Sequence, residues 1–124
     1  PEILVGNLNS LRTWADVRDA VSAYLNMVVQ DPVPGEVYNI GGSFSCTVGE
    51  MLNYLITQST VRNIKVVQDE SRMRPIDADL QVPNTSKFRA HTGWEPKISF
   101  EDTMTDLLNY WRQRISRGFI IPNR

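Results

Sequence analysis

DVRDAVSAYLNMVVQ, residues 16–30, decides the fold class. Val17, Ala20, Val21, Tyr24, Leu25, Val28 and Val29 recur at helical spacing, so the stretch predicts a helix with one continuous apolar face. Asp31-Pro32-Val33-Pro34-Gly35 breaks it, because proline cannot continue the backbone ladder. Val37-Tyr38-Asn39-Ile40 follows with strand-forming residues and stops at Gly41-Gly42. Helix, tight turn, short strand is an α/β signature.

The same alternation runs outward in both directions. Ile3-Leu4-Val5 reads as a short strand closed by Gly6 and Asn7. Thr47 and Glu50 stand at capping-box spacing and open a second helix, with Met51, Leu52, Leu55 and Ile56 on its apolar stripe. Ile64–Val67 reads as another strand. A short helix is expected over 85–92, stopped by Gly93. A last helix starts at Ser99 and carries Phe100, Met104, Leu107, Leu108, Trp111 and Ile115 on one face to about Gly118. The expected fold is a small mixed α/β domain, residues 1–124, of three main helices and short strands. Three such strands make a thin sheet, and the apolar helix faces exceed what it covers. Part of that surface is expected to meet another domain or subunit, with self-association or marginal stability as the consequence.

Composition excludes several function classes. Thirteen Lys/Arg against fourteen Asp/Glu leave a net charge of -1, without the basic field that generic nucleic-acid binding needs. The single cysteine, Cys46, excludes an intrachain disulfide and points to a reducing, cytoplasmic setting. No apolar run is long enough to span a bilayer, and no secretory leader is visible. The chain opens without Met, which suggests a processed, excised or truncated protein. One His and one Cys make a metal centre improbable. The seven glycines form neither a dinucleotide fingerprint nor a phosphate loop. None of the four tyrosines is followed by Lys at the fourth position, so no dehydrogenase Tyr/Lys pair exists here, and no residue is assigned a catalytic role. His91 fits a helix end, Cys46 a small buried filler, and Trp94 and Trp111 core packing.

What remains is SRMRPIDADL, residues 71–80. Pro75 fixes one dihedral and pushes Arg74 toward extended geometry. A planar guanidinium suits two-point contact with phosphate oxygens. Arg12, stiffened by Trp14, offers a second one from a separate segment, and Asp77 an acceptor for sugar hydroxyls. The plainer alternative is ion pairing, of Arg12 with Asp16 or Asp19, and of Arg72 or Arg74 with Asp77 or Asp79.

VGNLNSLRTWADVRDAV (5–21), GEVYNIGG (35–42), RMRPIDADL (72–80) and SKFRAHTGWEPKISFEDTMTDLLNYWR (86–112), in that order, resemble the C-terminal part of extended short-chain dehydrogenase/reductases acting on nucleotide sugars. They look most like GDP-mannose 4,6-dehydratases and GDP-4-keto-6-deoxy-mannose reductases. Asp16-Val17-Arg18-Asp19 is similar to the reductase; Arg12-Thr13-Trp14 is similar to the Arg-Asp-Trp of the dehydratase, with Thr13 in place of Asp. The resemblance implies the substrate-binding part of a Rossmann-type NAD(P)-binding enzyme whose Rossmann half is absent. In such an enzyme C4 of the sugar is oxidised, water leaves across C5–C6, and the hydride returns to C6. It further implies that Arg12 and Arg74 contact the diphosphate, Asp77 reaches the ribose, and Asn7 lies near the base. NAD(P) belongs to the missing domain and none is expected on this chain alone. The implied partners are a nucleotide sugar of the GDP-mannose type, the missing domain, and further copies in a homo-oligomer. The same region of a reductase or epimerase, or a non-catalytic binding module, is the alternative.

Overall fold

A computed structural model of the chain describes residues 1–74 and 78–119. Among the described residues, two small sheets replace the single thin one expected from the sequence. Strand β1 (Glu2–Val5) pairs in parallel with β4 (Lys65–Gln68), Ile3 against Val66 and Leu4 against Val67. The other sheet runs β3 (Phe44–Thr47), β2 (Leu11–Trp14), β5 (Leu80–Gln81). Its central strand is antiparallel to β3 and parallel to β5. Neither β2 nor β3 shows a strand pattern in the sequence, because each is four residues long with mixed polarity. They pair through cross-strand contacts such as the Thr13 and Ser45 hydroxyls, 2.8 Å apart.

The helices start where their caps place them. Asp16 caps α1 (Val17–Val29) by accepting from the Arg18 amide at 2.8 Å. Thr47 and Glu50 form the full capping box of α2 (Val48–Thr57). The short α3 (Ser86–Thr92) stops at Gly93, which is left-handed at φ 67°. Ser99 caps α4 (Phe100–Ser116), whose first turn carries Glu101 and Asp102. One core cluster joins Ala23 of α1, Phe88 of α3 and Trp94; the other joins Cys46 of β3 to Phe100 and Met104 of α4.

Two features depart from a helix-on-core picture. The apolar stripe of α1 faces outward: Val17 is 72% exposed, Val28 69% and Leu25 62%. The opposite side of the helix is buried, at Ala23 and the carboxylate of Asp19. Residues 37–40, read as a strand, pair with no strand among the described residues. Strand-forming side chains alone do not make a ladder; a neighbouring strand must supply it.

Asp16 ties three elements together. Arg18 grips it at two points, Nε to Oδ1 and Nη2 to Oδ2, both 2.8 Å, and reaches on to Asp106 of α4. The Thr103 hydroxyl lies 3.0 Å from the same Oδ2. The Arg18 hydrogen bonds hold the buried Asp16 carboxyl well below the usual carboxylate range. A depressed folded value means that the stabilisation is complete above about pH 4, the unfolded value, and fades as pH falls below it. Asp16→Ala should cost about 2 kcal/mol in urea unfolding at neutral pH. Asp16→Asn should keep the cap and flatten the acid limb of the stability curve.

Candidate functional site

The candidate site is built around the ends of the 72–80 stretch. Its leading end is anchored beside Gly6: a Cβ placed there would stand 2.6 Å from the Arg72 carbonyl oxygen, so only glycine lets the two backbones meet. Its trailing end is anchored beside Arg12. The Leu11 amide donates to the Asp79 carbonyl at 2.8 Å, and Leu11 and Arg12 are in register with Leu80 and Gln81. The stretch therefore leaves the β1 end next to Asn7 and returns to the central strand next to Arg12. Arg74 lies between these anchors and is exposed. Asp77 lies outside the described residues, as does Pro75.

The turn from Asn7 to Ser10 links β1 to β2. The Asn7 side chain donates to the Ser10 hydroxyl at 2.9 Å and accepts from the Asn9 amide at 2.9 Å. Its amide group thus shapes this turn. Ser10 is 1% exposed, and its carbonyl accepts from the Val48 amide; the Leu8 carbonyl accepts from Gly49. Glu50 is taken by Thr47, so the opening amides of α2 hold the turn rather than an anion. Ser10 was not singled out in the sequence; an Asn three residues before a Ser, in a short polar turn, is the signal that finds it.

Arg12 sits on the middle strand with Cys46 opposite, half-buried, and its Nη1 is shielded from solvent. Trp14, two residues on and so on the same face, packs on the Cys46 cluster and donates from Nε1 to the Cys46 carbonyl at 3.2 Å. The carboxylates proposed as plain ion-pair partners of Arg12 are engaged elsewhere. Asp16 holds Arg18, and Asp19 accepts from the Lys97 and Ile98 amides at 3.0 and 2.9 Å. Arg72 lies 3.4 Å from Asp69.

Among the described residues, Cys46 and His91 are engaged in packing and in hydrogen bonds between segments. Cys46 is buried, and burial pushes its thiol up. His91 joins helix ends: Nδ1 meets the Tyr38 hydroxyl at 3.0 Å, and Nε2 the Gln30 carbonyl at 3.0 Å. Among the described residues, no group of three His, Cys, Asp or Glu side chains is placed to hold a metal ion. No helix of the described residues is long and apolar enough to cross a membrane.

Known proteins resemble this chain over most of its length. GDP-6-deoxy-D-mannose reductase of Pseudomonas aeruginosa is 28% identical over 111 residues, which cover 90% of this chain and 36% of the reductase. dTDP-glucose 4,6-dehydratase of Escherichia coli is 30% identical over 128 residues, covering 91% of this chain and 35% of that enzyme. Among solved structures, RMD from Pseudomonas aeruginosa complexed with NADPH superimposes with a TM-score of 0.80 at 26% identity, covering 91% of this chain and 36% of that one. The chain thus spans about a third of the length of the relatives it matches. The family model described as GDP-mannose 4,6 dehydratase matches residues 1–107. The chain belongs to the GDP-mannose 4,6-dehydratase family, among the nucleotide-sugar enzymes of the short-chain dehydrogenase/reductase class.

Proposed function

We propose that residues 1–124 are the nucleotide-sugar-binding region of a GDP-mannose 4,6-dehydratase-like enzyme. The observation that carries this is the anchoring of the 72–80 stretch, at Gly6 by its leading end and at Leu11–Arg12 by its trailing end. That path sets Arg72, two residues before Arg74, beside Gly6, and Asp79 beside Leu11, the neighbour of Arg12, which supports one site shared by Asn7, Arg12 and Arg74. In this reading Arg12, held on the middle strand, and Arg74, on the loop, take the diphosphate from two directions. Asp77 accepts from the ribose hydroxyls, and Asn7 keeps the turn shaped next to the base. The chain's contribution to the reaction is orientation of the substrate, which can be worth several kcal/mol of barrier.

NAD(P) is not placed on these residues. The glycines at 6, 35, 41, 42, 49, 93 and 118 give no phosphate-cradling turn between a strand and a helix. The redox step therefore falls to the part of the enzyme outside this sequence. The reductase of Pseudomonas aeruginosa favours a second reading, the same binding region in a nucleotide-sugar reductase. The two differ in electron balance. A dehydratase consumes GDP-mannose with no net reductant, whereas a reductase consumes one equivalent of reduced nicotinamide per sugar.

Calorimetric titration with GDP, GDP-mannose and UDP-glucose tests the binding role, on this chain and on the full gene product. The guanine ligands should bind, and Arg74→Ala should weaken them about 10- to 100-fold, the loss of a charge-assisted hydrogen-bond pair. Full gene product that binds none of the three, or binding that ignores Arg74→Ala and Arg12→Ala alike, sinks the reading.

A further inference from the structure

The apolar stripe of α4 runs the length of the helix, but the core takes only its first half. Phe100 and Met104 are buried in the cluster with Cys46. Trp111 and Ile115 continue the same stripe two and three turns beyond Met104, and there they are 37% and 56% exposed. Leu107 and Tyr110 beside them are exposed as well. The patch extends past the helix. Gly118, left-handed at φ 82°, turns the chain back, and the Phe119 amide donates to the Arg114 carbonyl at 3.0 Å. This sets the Phe119 ring 6.1 Å from that of Trp111, which lies 5.4 Å from that of Tyr110, centroid to centroid.

Charge is segregated to the same place. Residues 107–124 carry four arginines and no acidic residue, which leaves nine basic against fourteen acidic residues in the rest of the chain. With about 3.6 residues per turn, Arg112 falls on one flank of the Trp111–Ile115 stripe and Arg114 on the other, and Arg117 closes the helix. Arg112 donates to the Gln58 carbonyl at 2.7 Å. Among the described residues, neither Arg114 nor Arg117 is paired with a carboxylate. The Arg114 guanidinium lies instead over the Phe119 ring at 3.9 Å and the Tyr110 ring at 5.6 Å. An apolar, aromatic stripe edged by arginines suits the boundary of a bilayer. The rings enter between headgroups and acyl chains, while the guanidinium groups stay with the lipid phosphates.

We propose that the C-terminal half of α4, with Phe119, docks on the surface of a membrane that carries anionic phospholipid. Charge selects this occupant. A neutral apolar partner gives the arginines nothing to meet. A second copy paired about a twofold axis sets arginines against arginines. Lipid phosphates take a guanidinium at two points, and the acyl boundary takes Trp111 and Ile115. The contact is peripheral, since no helix of the described residues is long and apolar enough to cross the bilayer. It stands independently of the nucleotide-sugar reading.

Co-sedimentation of the full gene product with vesicles tests this without any nucleotide. Vesicles of equal parts phosphatidylcholine and phosphatidylglycerol should retain at least about tenfold more protein than phosphatidylcholine alone. Arg114→Gln with Arg117→Gln should weaken binding to the anionic vesicles about 30-fold. Ile115→Asp should abolish it, and because Ile115 is more than half exposed, the melting temperature should stay within about 2 °C of the parent. Binding should also shift tryptophan emission to the blue, and Trp111→Leu should remove that shift. Equal retention on the two vesicle types overturns the proposal, as does retention that survives Ile115→Asp or the arginine pair. A gene product that ignores both vesicles overturns it too, the result expected if a protein surface covers this face instead.

Discussion

Phe88→Ala should lower the unfolding free energy by about 3–5 kcal/mol, measured as the shift in urea midpoint at constant slope. Phe88 is fully buried in a cluster that holds one half of the molecule together. Its ring meets Tyr38 edge-on, with centroids 5.6 Å apart, and is tilted against Trp94 at the same distance. It therefore fastens α3 to α1 and to residues 37–40 at once. Removing the ring leaves a cavity that no neighbour can fill without leaving its own contacts. Phe88→Leu keeps most of the volume and should cost less than half as much. Equal losses for the two variants would show that the cluster collapses freely, and that this region is not packed as described.

Gly42→Ala should be nearly as costly, about 3 kcal/mol, by the opposite route of overpacking. A Cβ at this position would lie 1.7 Å from the Trp14 carbonyl oxygen and 2.6 Å from its carbon. Both are backbone atoms at the end of the strand that carries Arg12, so no side-chain rotation relieves the clash. The strand must shift. Gly42→Ala should thus weaken nucleotide binding together with stability, although Gly42 touches no residue proposed to hold the ligand. Gly35→Ala is the control. Gly35 also sits before a turn's end, at φ 82°, but its Cβ would meet nothing within 4 Å. It should cost only about 1 kcal/mol of backbone strain and leave affinity unchanged. Calorimetry alongside melting curves separates the two variants; a Gly42→Ala protein with normal affinity would mean that Arg12 does not depend on this strand's position.

The sequence by itself determined the helices, and the reason is local. Caps and periodicity act within one turn or two, so Asp16, the Thr47–Glu50 box, Gly93 and Ser99 mark helix ends without reference to the rest of the chain. It also carried the family, through the order of motifs from Val5 to Arg112, and the surplus of apolar helix surface. Tertiary structure decided the strands. Leu11–Trp14 and Phe44–Thr47 become strands only because each supplies the other's ladder, while Val37–Ile40, richer in strand formers, has no partner among the described residues. Tertiary structure also decided which side of α1 faces the core. Periodicity reports that one face is apolar, not what covers it, and here the buried Asp19 carboxylate, satisfied by two amides from the segment before α4, turns the apolar stripe outward. The anchoring of the 72–80 stretch at Gly6 and at Leu11 was not legible either. It depends on a glycine meeting a distant carbonyl and on a two-residue parallel pairing, contacts between segments about 70 residues apart that no local pattern encodes.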